Sequence, residues 1–296
     1  MIVAFLLAPL VLVGVAYGVV LIRASLAAGA VFPPRLEALA LGAVANFFDT
    51  LGISSFATTT CWIRFRRLAP DRLIPPTLVA GYTIPTILQS AIFLVLLGVK
   101  VEPVLLGGCI VAMIAGGLLG ARLVTIAPVR LIQTLVGVGL LLAGLFFTLA
   151  NLKLMPPGGH ATGLPLPLMV AAIAAHAVLG VLINFGVGNY APTLAMLSLM
   201  GMDPRLAFPI MASSAAFSMT GSAARLVRQE LKLDLRVVLG LTVGAIPAIL
   251  IAAFLVKEMP IDLLRWLVVA VVIYAGVTLL HAATRAGEPA TAPVGA

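Results

Sequence analysis

Charge is what this chain lacks most. Only 9% of its 296 residues are Asp, Glu, Lys or Arg, while 62% are hydrophobic and the mean hydropathy is +1.21. An ordinary soluble domain carries roughly a quarter of its residues charged, so that class is excluded. Cysteine is scarce as well: Cys61 and Cys109 lie in apolar segments without CxxC spacing and read as small buried hydrophobes rather than a disulfide or a metal site. The three histidines, His160, His176 and His281, are scattered, and no HExxH, GxSxG or Walker A pattern occurs. The expectation is therefore no enzyme, no ATP-driven pump, no cofactor and no metal.

What fills the space is apolar helix. Runs of about 20 hydrophobic residues, enough to cross roughly 30 Å of hydrocarbon, recur along the whole length and mark a polytopic all-α integral membrane protein. The net charge of +8 falls mostly as arginine in short loops, where it sets topology rather than attracting nucleic acid. The first run, Ile2 to Ile22, has no basic flank before it and no polar cleavage region after it, which predicts a retained helix.

The chain repeats itself at a spacing of about 132 residues. "VEPVLLGGCIVAMIAGGLLGARLVTIAPVRLI", from Val101, aligns without gaps with "LDLRVVLGLTVGAIPAILIAAFLVKEMPIDLL", from Leu233, and Gly108 meets Gly240, Pro128 meets Pro260. Upstream, "DRLIPPTLVAGY" meets "PRLAFPIMASSA", and "LGAVANFF" meets "LGVLINFG". The expected organisation is an N-terminal helix and linker over 1–35, a first repeat over 36–150, a loop over 151–164, a second repeat over 165–282 and a disordered cytoplasmic tail over 283–296. Each repeat opens with an interrupted segment, near 36–63 and 166–200. Three unbroken helices follow, near 76–98, 102–124 and 128–150 in the first half and near 206–229, 236–256 and 261–282 in the second.

Lysine and arginine counts decide whether the interrupted segments cross. If both cross, the basic residues divide evenly between the two sides; if both dip in and return, they divide 13 to 5. The positive-inside rule favours the second arrangement, with seven full spans, an outside N-terminus and a cytoplasmic C-terminus. An odd three spans per repeat makes the halves inverted relative to one another, an architecture common among secondary transporters.

Interrupted backbone at membrane depth must be buried in protein or line a cavity. In "NFFDTLGISSFATTT" Gly52 is the expected breaker, Ser54 and Ser55 are candidate caps of a new half-helix, and Thr58 follows in its first turn. In "NFGVGNYAPTL" Gly186 and Gly188 flank the break, Asn189 is a candidate cap beside Tyr190, and Pro192 suits a first turn. Two half-helix N-termini facing one midplane cavity make an anion site; the alternative is that these small residues only pack spans closely. Gln89 and Ser222 occupy equivalent repeat positions and, with Ser213 and Ser214, are further candidate ligands, although a serine in a span often bonds its own helix. Asn46 and Asn184 match across the repeat and either bind substrate or tie down broken backbone. Asp49, an acidic residue inside a membrane segment, is a candidate proton-coupling site or a local cap, and His176 is a second candidate proton carrier.

These motifs resemble those of the sulfite exporter TauE/SafE family, also called the toluene sulfonate uptake permease family. The resemblance covers about residues 36–282 and rests on "FFDTLGISSFATTT", "LINFGVGNYAPTL", "DRLIPPTLVAG" and "DPRLAFPIMASSAA". It implies a multi-pass protein of the bacterial inner membrane that moves sulfite, thiosulfate or a small organosulfonate. The expected function is a secondary carrier, an exporter in direction because an inside-negative potential expels anions; an anion channel or an uptake permease for another small anion is the alternative. Its partners are a small anionic substrate, the lipid bilayer and, if any protein, further copies of the chain.

Overall fold

The computed structural model describes residues 2–27, 35–53, 55–70, 73–97, 100–123, 129–154, 159–183, 188–228 and 233–285. The linker over 28–34, Ser54, Asn184 to Val187 and the tail from 286 lie outside them. Eleven α-helices fill the described residues: α1 (Ile2–Ala27), α2 (Leu36–Thr50), α3 (Ser55–Arg66), α4 (Ile74–Leu96), α5 (Pro103–Leu123), α6 (Val129–Asn151), α7 (Leu166–Ile183), α8 (Tyr190–Leu199), α9 (Ala207–Arg228), α10 (Leu235–Glu258) and α11 (Ile261–Arg285). Seven of them, α1, α4, α5, α6, α7, α10 and α11, are long and apolar enough to cross a membrane. The chain is an all-helical integral membrane protein.

The membership of that seven differs from the expectation. The segment near 206–229 was expected among the apolar spans, yet α9 is not one of them, and α7 is. The serines and threonines of α9 and its closing arginines lower its hydropathy, whereas α7 is apolar over 18 residues, a length of about 27 Å.

Small residues set how the helices meet. A methyl group added at Gly116 in α5 would stand 1.9 Å from the Ala177 carbonyl oxygen of α7, and one at Gly180 would stand 2.3 Å from that of Met113. With Gly108 against Ile173, these contacts run α5 and α7 parallel at backbone contact. The same arrangement joins α2 to α10, where Gly240 faces Ala38 and Gly244 faces Leu39, and the Arg35 amide donates to the Arg236 carbonyl at 3.4 Å. Close approach of this kind gains dispersion where lipid offers no hydrophobic drive.

Two further helix pairs, α6 with α11 and α4 with α9, pack antiparallel. In the α6–α11 pair Gly144 faces Ile273 and Gly276 faces Leu141, so each helix presents its glycine to the other's aliphatic side chain. Between α4 and α9, Ser90 donates to Ser213 at 2.9 Å and the Phe93 and Phe208 rings lie 5.1 Å apart. Helix α1 covers α4 through Gly14 against Ile87, and Tyr17 donates to the Ala80 carbonyl at 2.6 Å.

Candidate functional site

Helix α2 ends where the sequence places the break. Gly52 takes a left-handed φ of +101°, its amide donates to the Asp49 carbonyl, and the Ile53 amide reaches the Phe48 carbonyl at 2.9 Å. This pair of bonds is a Schellman ending, which favours glycine at the left-handed position because a Cβ is strained there. The expected serine caps take a different form: the Ser55 amide donates to the Asp49 carboxylate at 2.8 Å, so Asp49 closes the N-terminus of α3 across the break. A carboxylate at that end also meets the positive pole of the helix.

After the break the chain folds back. Near the end of α3, Arg66 Nε and Trp62 Nε1 donate to the Glu37 carboxylate in the first turn of α2, at 2.7 and 3.0 Å. The Arg66 guanidinium holds the half-buried Glu37 carboxyl below the usual carboxylate range. Residues 37 and 66 therefore lie at the same end of the α2–α3 pair.

The second break has the same outline and different fastenings. The Ala161 amide, before α7, donates to the Gly201 carbonyl, after α8, at 3.1 Å, and the Asp203 amide returns to the Ala161 carbonyl at 3.0 Å. Between the two arms, His176 Nδ1 donates to the Ala172 carbonyl at 2.8 Å, leaving Nε2 facing the Thr193 hydroxyl at 3.4 Å. Pro192 sits in the first turn of α8, as expected, where its missing N–H costs nothing. Asn189 stands at the N-cap position but makes no side-chain cap bond; its Nδ2 donates instead to the Met211 carbonyl at 3.0 Å and lies 3.5 Å from Ser214 Oγ on α9.

Gln89 joins the two breaks. Its Nε2 donates to Thr50 Oγ1 at 3.1 Å, at the end of α2, and its Oε1 accepts from the Tyr190 hydroxyl at 2.5 Å, at the start of α8. Its side chain also interacts with the Asp49 carboxylate. Gln89, Tyr190, Asn189, Ser213, Ser214, Asp49 and Asn46 are all buried, and each has a hydrogen-bond partner inside the protein. Asn46 donates to the Gly42 carbonyl at 3.0 Å, which ties it to its own helix. Ser55 is buried beside the cap, Gly52 is packed against Val271 and Leu194, and His176 is buried between α7 and α8.

Other candidates stand apart. Thr58 is exposed and bonds the Ser55 carbonyl, and Gly188 is exposed at the edge of the break. Ser54, Asn184 and the Ser222 side chain lie outside the described residues. Three buried hydrogen-bonding groups were absent from the sequence-derived set: Thr50, bonded to Gln89, Ser90, bonded to Ser213, and Tyr82, whose hydroxyl shares a 2.6 Å bond with Thr59. Thr50 and Ser90 adjoin the polar stretch and Gln89, a signal that proximity alone could have carried. Tyr82 looked like any aromatic in an apolar helix.

Residues 168–296 match the family model for the sulfite exporter TauE/SafE family. The match supports the resemblance read from the motifs, and the family is one of membrane transporters rather than enzymes. No curated protein and no solved structure gives a match.

Proposed function

We propose that this protein, related to the TauE/SafE exporters through residues 168–296, is a secondary transporter that expels a small sulfur oxyanion. The observation that carries the reading is the Gln89 amide, which bridges Thr50 and Tyr190 and so ties both broken segments to one buried point. Amide, hydroxyl and backbone N–H donors suit the three oxygens of a sulfite or sulfonate head, and neutral donors hold an anion weakly enough to release it. Substrate-binding roles are assigned to Gln89, Tyr190, Asn189, Ser213 and Ser214, with Asn46 and Gly52 shaping the first break. Asp49 and His176 remain the proton-coupling candidates, because each fastens one break through a bond that protonation alters.

Two observations support an inverted duplication. The reciprocal contacts Gly144–Ile273 and Gly276–Leu141 relate the halves by a two-fold operation, and α4 and α9 cross in opposite directions. The Glu37–Arg66 and Ala161–Gly201 contacts support re-entrant segments that leave on the side they entered. Broken helices meeting between inverted repeats are the usual setting for alternating access.

The test is flux of labelled sulfite, thiosulfate and sulfoacetate, beside chloride and sulfate, into liposomes holding the purified protein. Saturable flux of one sulfur anion is expected, falling at least 10-fold in Gln89→Leu and Tyr190→Phe while both variants stay folded. Wild-type flux in both variants sinks the Gln89-centred site; ionic current without saturation replaces the carrier with a channel.

A further inference from the structure

A second group of donors converges far from Gln89. A small pocket at the opposite end of α8 is lined by Asn151 from the end of α6, Ser198 and Met202 around the end of α8, and Arg265 from the first turns of α11. The Nδ2 of Asn151 and the Oγ of Ser198 are buried and have no hydrogen-bond partner among the described residues. Ser198 is only 4% exposed. Immediately beside the pocket residue Pro204, the Nε of Arg205 is likewise buried without a partner.

Buried polar groups in folded proteins are paired almost without exception, so two unpaired ones lining one pocket require a partner of suitable chemistry. An amide N–H, a hydroxyl and a guanidinium N–H all donate, and none of the pocket-lining residues is acidic. Arg265 adds a cation whose side chain is only 19% exposed; His160 lies 3.0 Å from its Nη2 and Asp262 lies 3.7 Å from its Nη1. Arg205 is anchored in turn, through a bond from its guanidinium to the Met259 carbonyl and one from its amide to Asp203 at 2.9 Å. Fixed guanidinium groups beside hydroxyl and amide donors are the chemistry that recognises oxyanions.

We propose that this pocket is a second anion site, which takes a small oxyanion of the transported class on Asn151, Ser198 and Arg265, with Arg205 next in the chain to its lining residue Pro204. Ser198 lies eight residues beyond Tyr190 on the same helix, about 12 Å along its axis, so α8 is a short rod between the two sites. Under the topology proposed above, Asn151, Ser198, Arg205 and Arg265 all stand at the outer end of the bundle. The pocket is then the station an exported anion occupies as it leaves. The identity of the ligand rests on the proposed function; the anion chemistry of the pocket does not.

The experiment is equilibrium binding of labelled sulfite to the full-length protein in nanodiscs, with sulfate, phosphate and chloride as competitors. Gln89→Leu removes the central site and is expected to leave saturable binding. Adding Asn151→Asp, which places a carboxylate in the pocket, is expected to weaken that binding at least 30-fold, and adding Ser198→Ala about 5-fold. Thermal unfolding of each variant verifies that it is folded. Unchanged affinity on adding Asn151→Asp, or no binding to a folded Gln89→Leu protein that keeps its thermal transition, overturns the pocket while wild-type flux keeps the transporter. Conversely, Asn151-sensitive binding without flux of any anion upholds the pocket and removes the transporter reading. Competition by chloride equal to that by sulfite overturns the oxyanion assignment.

Discussion

At the residue scale, two left-handed positions carry opposite predictions. Gly52, at φ +101°, already holds the residue its backbone demands, so Gly52→Ala is expected to destabilise the protein by about 1–2 kcal/mol through strain alone. Lys153 ends α6 in the same geometry, with φ +60° and its neighbour's amide reaching back to the Leu149 carbonyl at 2.9 Å, but it carries a Cβ. Lys153→Gly is expected to stabilise by about 0.5–1 kcal/mol. Thermal unfolding in one detergent reads both, and two shifts of the same sign refute the argument. The pair also shows what a sequence makes visible. Gly52 announced its break because glycine is the residue such a turn favours. Lys153 and Arg67, at φ 52°, gave no such notice, because the tertiary setting forces a conformation their side chains resist.

At the element scale, the re-entrant reading came from a charge count, and the structure supplies contacts that bear on it independently. A count can weigh sides, but it cannot see Arg66 reach Glu37 or Ala161 pair with Gly201. The cap of α3 was equally hidden. Serines were the natural candidates by position, yet the donor–acceptor pair runs from the Ser55 amide to a carboxylate six residues upstream, a distance that only the turn at Gly52 closes. The pocket at the far end of α8 was the least legible feature, since Asn151, Ser198 and Arg265 are far apart in sequence and the arginines had been read for topology alone. The hairpins predict sidedness. In a protein with Cys61 and Cys109 replaced, single cysteines at Arg35 and Arg67 are both expected to react with an impermeant maleimide from the cytoplasmic side, and those at Lys153 and Leu199 from the outer side. Arg35 and Arg67 labelling from opposite faces dismisses the α2–α3 hairpin, and Lys153 and Leu199 doing so dismisses the α7–α8 hairpin.

At the scale of the whole molecule, the question is what drives the anion. One negative charge crossing an inside-negative membrane gains roughly 2.3 kcal/mol per 100 mV, which corresponds to about a 50-fold outward concentration ratio for a monovalent anion at steady state. The binding groups of the central site carry no fixed positive charge to offset this, so a uniporter built on Gln89 and Tyr190 moves the full charge of its substrate. Liposomes clamped with potassium and valinomycin measure the ratio directly. A slope of one decade per about 60 mV identifies an uncoupled monovalent anion. A slope near zero, restored to that value in Asp49→Asn or His176→Gln, identifies a proton that travels with the anion and cancels its charge. Asp49 is the stronger of these two candidates, because its carboxylate holds the N-terminus of α3 and interacts with Gln89, so proton uptake loosens the break at the moment the site must change hands. If neither replacement changes a flat slope, the charge is balanced elsewhere and both residues serve only to hold the breaks.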